Sequence, residues 1–561
     1  MSFETIFSQY PISKRIINDL DSFTDIENLA ATSQSILEDV RNLPIKKDIN
    51  ISENTLLIFK VWDFFSYILG RSPSITFNYN DNIYNTNDLL RIFAMMPSKK
   101  LEHIKKIQFY IFDACTDYRS GDIYDNLQLL PNIETCDPNN LRDFGRELAY
   151  FINNLFELCS NADTLEFKSL LSIHFFIINY LTSSKIKILK GITIKSMLVF
   201  ANIRNNNYLG CIEKLKGLEE LHINGFNMEM LKIEYCANLL KDILKNLSKK
   251  EGNKFVYYGD TILLPSEIQF FNNFGNLLRL VQECKVNMAF KGIYPCERKF
   301  YKHCPVENIV EINICPGNIT DFRIFVSKLH RFLKLKTIKL ELLDDFFYNI
   351  LKVNSISIFK KCFNTEMLKN FEKIEEFYLK VQMFLPMDLL SNNETKEQMV
   401  EIKNNAILNL LIHLSTNLRL LYLEGLPDLT QEMSDILSKN CPNITEIYLI
   451  PKISINENFV KNMKNLKFIF LKGNHRVIIP DTVEMITFYP KDNDESRMLY
   501  EMLHTQFYNH FRYLFNRTFR CSIRNCYENR LMYGVFFNKI FDWKIYIKKM
   551  HSYNTPFQPV F

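Results

Sequence analysis

Three nine-residue stretches share one apolar frame: NLRLLYLEG from Asn417, NITEIYLIP from Asn443 and NLKFIFLKG from Asn465. Each reads Asn, apolar, two residues, apolar, one residue, apolar. TVEMITFYP from Thr482 continues the frame without the Asn. Upstream it recurs in KIEEFYLKV (Ile374, Phe377, Leu379), KLKTIKLEL (Leu335, Ile338, Leu340), NIVEINICP (Ile309, Ile312, Ile314) and GLEELHING (Leu218, Leu221, Ile223), and more weakly in HIKKIQFYI from His103. From Ile309 onward the first apolar positions are 309, 335, 374, 418, 444, 466 and 483, with gaps of 26, 39, 44, 26, 22 and 17. The gaps of 26 and 22 fit a strand-plus-helix repeat of about 20–29 residues. The gaps of 39 and 44 leave room for an insertion or a decayed repeat.

A strand this short cannot bury its apolar face alone. Stacking the copies makes a parallel sheet, and helices must cover one side of it. Helical patterns do lie between the motifs, in KNNAILNLLIHLS at 403–415 and QEMSDILSKN at 431–440. Each inward Leu or Ile contributes roughly 1.5–3 kcal/mol by burial, so single slots tolerate Phe, Val or Met. The expected fold class is therefore α/β, a repeat solenoid with a parallel sheet and outer helices.

Composition narrows the function. Only 15 glycines occur in 561 residues, and no phosphate-cradling glycine motif or nucleophile-elbow motif is present. Net charge is +5, and residues 491–561 alone supply 11 Lys+Arg against 6 Asp+Glu. The rest is balanced, which argues against a nucleic-acid binder. The N-terminus MSFETIFSQYPISKRI lacks the apolar core of a signal peptide, and the most apolar run, LLSIHFFIINYL at 170–181, is shorter than the ~20 residues a membrane span needs. A soluble chain of a reducing compartment is expected, with no membrane partner.

The 13 cysteines are scattered, with no C-x-x-C pair, so neither a disulfide framework nor a compact zinc site is expected. Cys296, His303, Cys304 and Cys315 are too widely spaced for such a site, and Cys521 and Cys526 sit among arginines that could lower a thiol pKa. Cys441 precedes Pro442 where a helix must end, and suits a small buried turn position. Paired acids such as Asp344-Asp345 read as a solvated face. No catalytic constellation, metal site or cofactor is expected.

The stretch NCPNITEIYL, together with HCPVENIVEINI, resembles the cysteine-containing leucine-rich repeats of F-box proteins. Residues 10–43 then resemble an F-box. Pro11, Ile16, Ile17 and Leu20 match its first helix, Asp25, Ile26 and Leu29 its second, and Thr32-Ser33-Gln34 precedes Ile36, Leu37 and Val40. Tyr10 stands where the family has Leu, and the family's frequent Trp is missing. Thr24 or Asp25 could cap a helix beginning near Ile26. An ordinary helical cap on the repeat array is the other reading of these residues.

The resemblance implies a substrate-recognition subunit of a Skp-cullin-F-box ubiquitin ligase. Pro11, Ile16, Ile17, Leu20, Ile26 and Leu29 would bind the Skp-type adaptor, joining the chain to the cullin core. The alternative is a leucine-rich-repeat interaction scaffold with no ligase link. The implied layout is an F-box-like helical unit at 1–45, a linker with irregular early repeats at 46–200, the solenoid at 201–490 and a basic, aromatic cap at 491–561. The cap is expected to be helical. Cytoplasm or nucleus would be its location.

The frame also places a target surface. Residues between the apolar pair point to the opposite sheet face. They are Asn313, Lys339, Tyr378, Tyr422, Tyr448, Phe470 and Thr487. Tyr378, Tyr422, Tyr448 and Phe470 form an aromatic row, the expected contact for an unknown protein target. Equally, these rings could stack on one another or lie beneath another segment.

Overall fold

The structure, a computed structural model, describes residues 2–20, 23–43, 46–48, 56–62, 64–68, 70, 72, 74–79, 82–102, 104–111, 136–168, 173–193, 196–197, 199–200, 212–225, 234–259, 268–293, 304–347, 369–382, 393–452, 454–473, 475, 477–489, 519–524, 531–537, 540–542 and 545. They form two compact units. The terminal unit comprises Met1–Ser52, Asn313–His330 and Leu335–Gln558; the central unit comprises Glu53–Ile312, Arg331–Lys334 and Pro559–Phe561.

The terminal unit opens with four helices: α1 (Phe3–Phe7), α2 (Tyr10–Asp19), α3 (Phe23–Ala30) and α4 (Gln34–Asn42). Pro11 sits in the first turn of α2, where its missing N–H costs nothing. Ser33 caps α4 by accepting from the Ile36 N–H at 3.3 Å. Helix α3 begins at Phe23 rather than near Ile26, so Thr24 and Asp25 lie inside its first turn. A short strand, β1 (Lys46–Asp48), follows.

In the central unit, strand β2 (Leu56–Trp62) is flanked by a hairpin of β3 (Thr76–Tyr79) and β4 (Asn82–Asn85). A parallel ladder then runs from β2 through β5 (Lys106–Ile111), β6 (Thr164–Lys168), β7 (Ile188–Thr193), β8 (Glu220–Gly225), β9 (Lys254–Gly259) and β10 (Asn287–Ile293). The weak motif at His103 and the GLEELHING motif are thus real strands. Six strands in all, β2 to β7, lie between 56 and 193, in the stretch read as linker and irregular early repeats. Their inward row is regular: Leu57, Ile107, Leu165, Leu189, Leu221, Phe255 and Met288 are all buried. A second row begins with Phe59, Phe109 and Phe167. Phe59 stacks on Phe109 at 5.3 Å and meets Phe151, from helix Pro138–Leu158, edge-on at 5.3 Å.

One irregularity sits in β7. The ladder slips a register between Leu189 and Ile192. Gly191 there has φ +81°, and a Cβ would lie 1.8 Å from the Phe167 carbonyl oxygen. Only glycine fits both demands.

Strand β11 (Ile309–Ile314) is shared between the two divisions of the chain. In the terminal unit the ladder runs β12 (Thr337–Leu342), β13 (Glu376–Val381), β14 (Leu420–Glu424), then, after the two-residue β15 (Asp428–Leu429), β16 (Glu446–Ile450). After β17 (Ser454–Ile455), which pairs with β15, come β18 (Phe468–Lys472) and β19 (Met485–Tyr489). Outer helices Asn393–Ile412 and Gln431–Asn440 lie between strands, as the sequence patterns require.

The repeated Asn is explained. Asn417, Asn443 and Asn465 each donate a side-chain N–H to a carbonyl one repeat earlier, of Glu372 (2.5 Å), Thr416 (2.8 Å) and Pro442 (2.9 Å). The side chain thus ties each repeat to the one before.

The end of this ladder differs from the expected helical cap. Strand β19 pairs antiparallel with β21 (Leu531–Phe537), which pairs antiparallel with β20 (Phe519–Arg524), and β1 pairs parallel with β20. Phe519, Cys521 and Ile523 alternate with period two, a strand signal hidden by the basic composition. The hairpin covers the ladder's exposed edge.

Candidate interaction faces of the two sheets

Register places the expected aromatic row as the sequence arranged it. Lys339, Tyr378, Tyr422, Tyr448, Phe470 and Thr487 are successive cross-strand partners. The rings lie 5.6, 5.6 and 5.9 Å apart from Tyr378 to Phe470. Lys339 sits 5.0 Å over the Tyr378 ring. The flanking acids hold the hydroxyls: Tyr422 donates to Glu424 at 2.7 Å and Tyr378 to Glu376 at 3.3 Å.

This row is not open to solvent. Tyr422, Tyr448 and Phe470 are 5%, 4% and 8% exposed. They share one hydrophobic cluster with Phe7, Ile17, Ile26, Ala30, Ile36, Val40 and Leu43 of the N-terminal helical segment, and Ile16, Leu20, Leu29, Leu37 and Tyr378 pack against it. The two surfaces expected to bind different partners therefore lie in one core. Of the six expected adaptor contacts, only Pro11 is exposed. Amphipathic helices with no polar cover on one side must bury that side, and the aromatic sheet face is an apolar match. The six large helical-segment side chains in the cluster represent on the order of 10 kcal/mol of burial, comparable with a domain's whole net stability.

The central unit presents a different face. Between its inward residues, the register aligns Ile58, Gln108, Glu166 and Lys190, and then His222, Val256 and Ala289. On the same side lie Lys60, Lys106, Lys168, Glu220, Lys254, Tyr258 and Lys291. Glu166 is buried, with 5% of its side chain exposed, while Lys106, Lys168, Glu220 and Lys254 keep 34%, 26%, 26% and 29%. Burial opposes ionisation of Glu166, but Lys106 and Lys168 outweigh it and hold its carboxyl below the ordinary range.

His222 was not singled out by its sequence, since an isolated His in a strand carries no spacing signal. Its Nδ1 lies 3.0 Å from the Tyr258 hydroxyl and its Nε2 3.1 Å from Glu220. Burial pushes its pKa down to about 4. The neutral imidazole therefore donates from Nε2 to Glu220 and accepts the Tyr258 proton on Nδ1. Burial also opposes Glu220 ionisation, yet the His222 hydrogen bond and Lys254 hold its carboxyl at about 2. Lys254 bonds Glu220 at 3.2 Å.

The other singled-out residues resolve plainly. Cys441 ends helix Gln431–Asn440, donating its N–H to Leu437 at 2.8 Å, and burial pushes its thiol up to about 12. Cys159 and Cys284 occupy the same helix-end position before β6 and β10, a recurrence present in the sequence without a following Pro to mark it. Cys304 and Cys315 are likewise pushed up, to about 11 and about 12, by burial. Cys296, His303 and Cys526 lie outside the described residues. Among the described residues no group of three or more His, Cys, Asp or Glu could hold a metal ion. Asp344 is not on a solvated face: it is buried and bonds the buried Lys403 at 2.5 Å. Asp345 is exposed. No described helix is long and apolar enough to cross a membrane.

A family model described as a domain of unknown function (DUF8346) matches residues 69–550. No curated protein matches the chain. Among solved structures, the complex of Toll with Spatzle from Drosophila is similar over 77% of this chain and 52% of that one, about half its length, at 10% identity and a TM-score of 0.19.

Proposed function

The chain belongs to the family of the domain of unknown function DUF8346, and we propose that it is a non-catalytic leucine-rich-repeat scaffold that holds another protein on a sheet face. The observation that carries this reading is the central unit's polar sheet face. Its lysines reach solvent from a ladder of fixed register, whereas the matching face of the terminal unit is already covered. A rigid array of this kind offers a preorganised surface, which lowers the entropic cost of association. Crosslinking mass spectrometry on the full chain with its co-purified proteins tests it. Partner crosslinks at Lys106, Lys168 and Lys254 are expected, and crosslinks confined to outer-helix lysines such as Lys245 would refute it.

A second reading, the substrate-recognition subunit of a ubiquitin ligase, is favoured by α2, α3 and α4 forming over the F-box-like stretch. It requires Ile16, Ile17, Leu20, Ile26 and Leu29 to leave the cluster they now fill, against the burial energy given above. Mixing the full chain with recombinant Skp-type adaptor decides it. A stable complex, with the helices losing hydrogen-exchange protection from the sheet, supports the ligase reading; no complex removes it.

A further inference from the structure

The non-core face of the central ladder carries six lysines, at positions 60, 106, 168, 190, 254 and 291, against two glutamates, Glu166 and Glu220. Glu311 adds a third acid by pairing with Lys291. Among the described residues, lysines on this face therefore outnumber the acids. It concentrates at Lys190, which makes no ion pair of its own among the described residues. Burial is the largest influence against its charge; Lys106 and Lys254 also repel its ammonium, and Glu166 and Glu220 attract it, but each acid is already bonded to another lysine.

We propose that this face binds an extended acidic segment of a partner protein, with a partner carboxylate at Lys190 and further acids meeting Lys106, Lys168 and Lys254. This rests on the scaffold reading and names the partner's chemistry. A bound carboxylate beside Lys190 would add to the attraction of Glu166 and Glu220 the direct ion partner that the described residues do not give it. The mixed pattern favours a peptide over a nucleic acid. A phosphate backbone presents negative charge at every unit and would meet Glu166 and Glu220 in the middle of the face. A peptide can place acids over lysines and polar residues over the glutamates. Lysine, a point charge without arginine's fork, suits contacts whose angles vary. Seven strands about 4.8 Å apart span roughly 29 Å, the reach of about nine extended residues.

The experiment uses the full chain and a labelled peptide of about ten residues alternating Glu and Ser, read by fluorescence anisotropy over a salt series. Saturable binding that weakens with salt is expected. Lys190→Gln and Lys168→Gln should each weaken it several-fold, and Lys190→Glu by roughly tenfold. Lys245→Glu, on the exposed face of helix Glu234–Ser248, should not change it. Thermal melts of each variant check folding, and Lys168→Gln keeps the test valid if the Lys190 variants melt early. Equal weakening by Lys245→Glu, or tighter binding of a single-stranded oligonucleotide of matched charge, overturns the proposal. No peptide binding, while crosslinks still place a partner on this face, overturns the acidic-segment inference and leaves the scaffold reading. No peptide binding and no such crosslinks remove both.

Discussion

In the terminal unit the position between core-facing residues is filled by Tyr378, Tyr422, Tyr448 and Phe470. In the central unit the matching position is filled by Gln108, Glu166, Lys190 and His222. The frame and the parallel register are the same; only the intervening side chain differs. Rings make a face that must be covered, and the chain covers it with its own first helices. Charges make a face that holds itself together through ion pairs while its lysine tips stay wet. A repeat sheet thus does not by itself announce where it binds. The residue between the repeat's apolar positions decides whether that face becomes core or surface.

The largest expected difference comes from the ring row. Tyr422→Ala and Tyr448→Ala should each cost the terminal unit about 3–5 kcal/mol, as for other large buried aromatics, measured by denaturant unfolding. Hydrogen exchange should show protection lost in α2–α4 as well as in β14 and β16. Unchanged stability would mean that the helices do not depend on this face.

Acid should act in the opposite direction, on the central unit. His222 and the fully buried His174 both have pKa values held near 4 by burial, below the ordinary 6.5. Each folded pKa is depressed, so the unfolded chain binds protons first as pH falls. Their stabilisation is complete above about pH 6.5 and is lost as pH drops toward 4, by up to about 3 kcal/mol per histidine. Glu220 follows the same sign at lower pH, losing its contribution between about 4.3 and 2. Exchange measured across pH 7 to about 4 should therefore show the central unit opening first. His174→Phe should flatten that dependence; simultaneous opening of both units would erase the contrast.

Gly425 is a smaller test on the terminal side. It has φ +74°, and a Cβ would approach the Val381 carbonyl oxygen to 2.1 Å. Gly425→Ala should destabilise by more than about 1 kcal/mol, read as a lower melting temperature. Smallest of all, Asn443→Ala removes one exposed bond between repeats and should cost about 1 kcal/mol.

The period-two frame was legible wherever Leu and Ile fill it, and the row from Lys339 to Thr487 could be read to the residue. What could not be read was the partner of that row. Ile17 and Ile26 lie about 400 residues before Tyr422, and amphipathicity shows that a helix has an apolar side without saying what covers it. The strands at 56–62 and 164–168 escaped, and 106–111 showed only weakly, because Phe, Lys and Glu dilute the frame. The hairpin at 519–537 was masked by its arginines, although its alternation was present. Glu166, Lys190 and His222 carry no local motif. Only stacking brings them together.

The contact between α1–α4 and the ring row also sets an order of events during synthesis. The apolar sides of residues 3–43 emerge hundreds of residues before Tyr448 and Phe470 exist. At roughly 5–20 residues per second, the nascent helices wait on the order of a minute for their sheet. The central ladder can close in that interval. Residues 3–43 are thus made long before their cover and are among the last to settle.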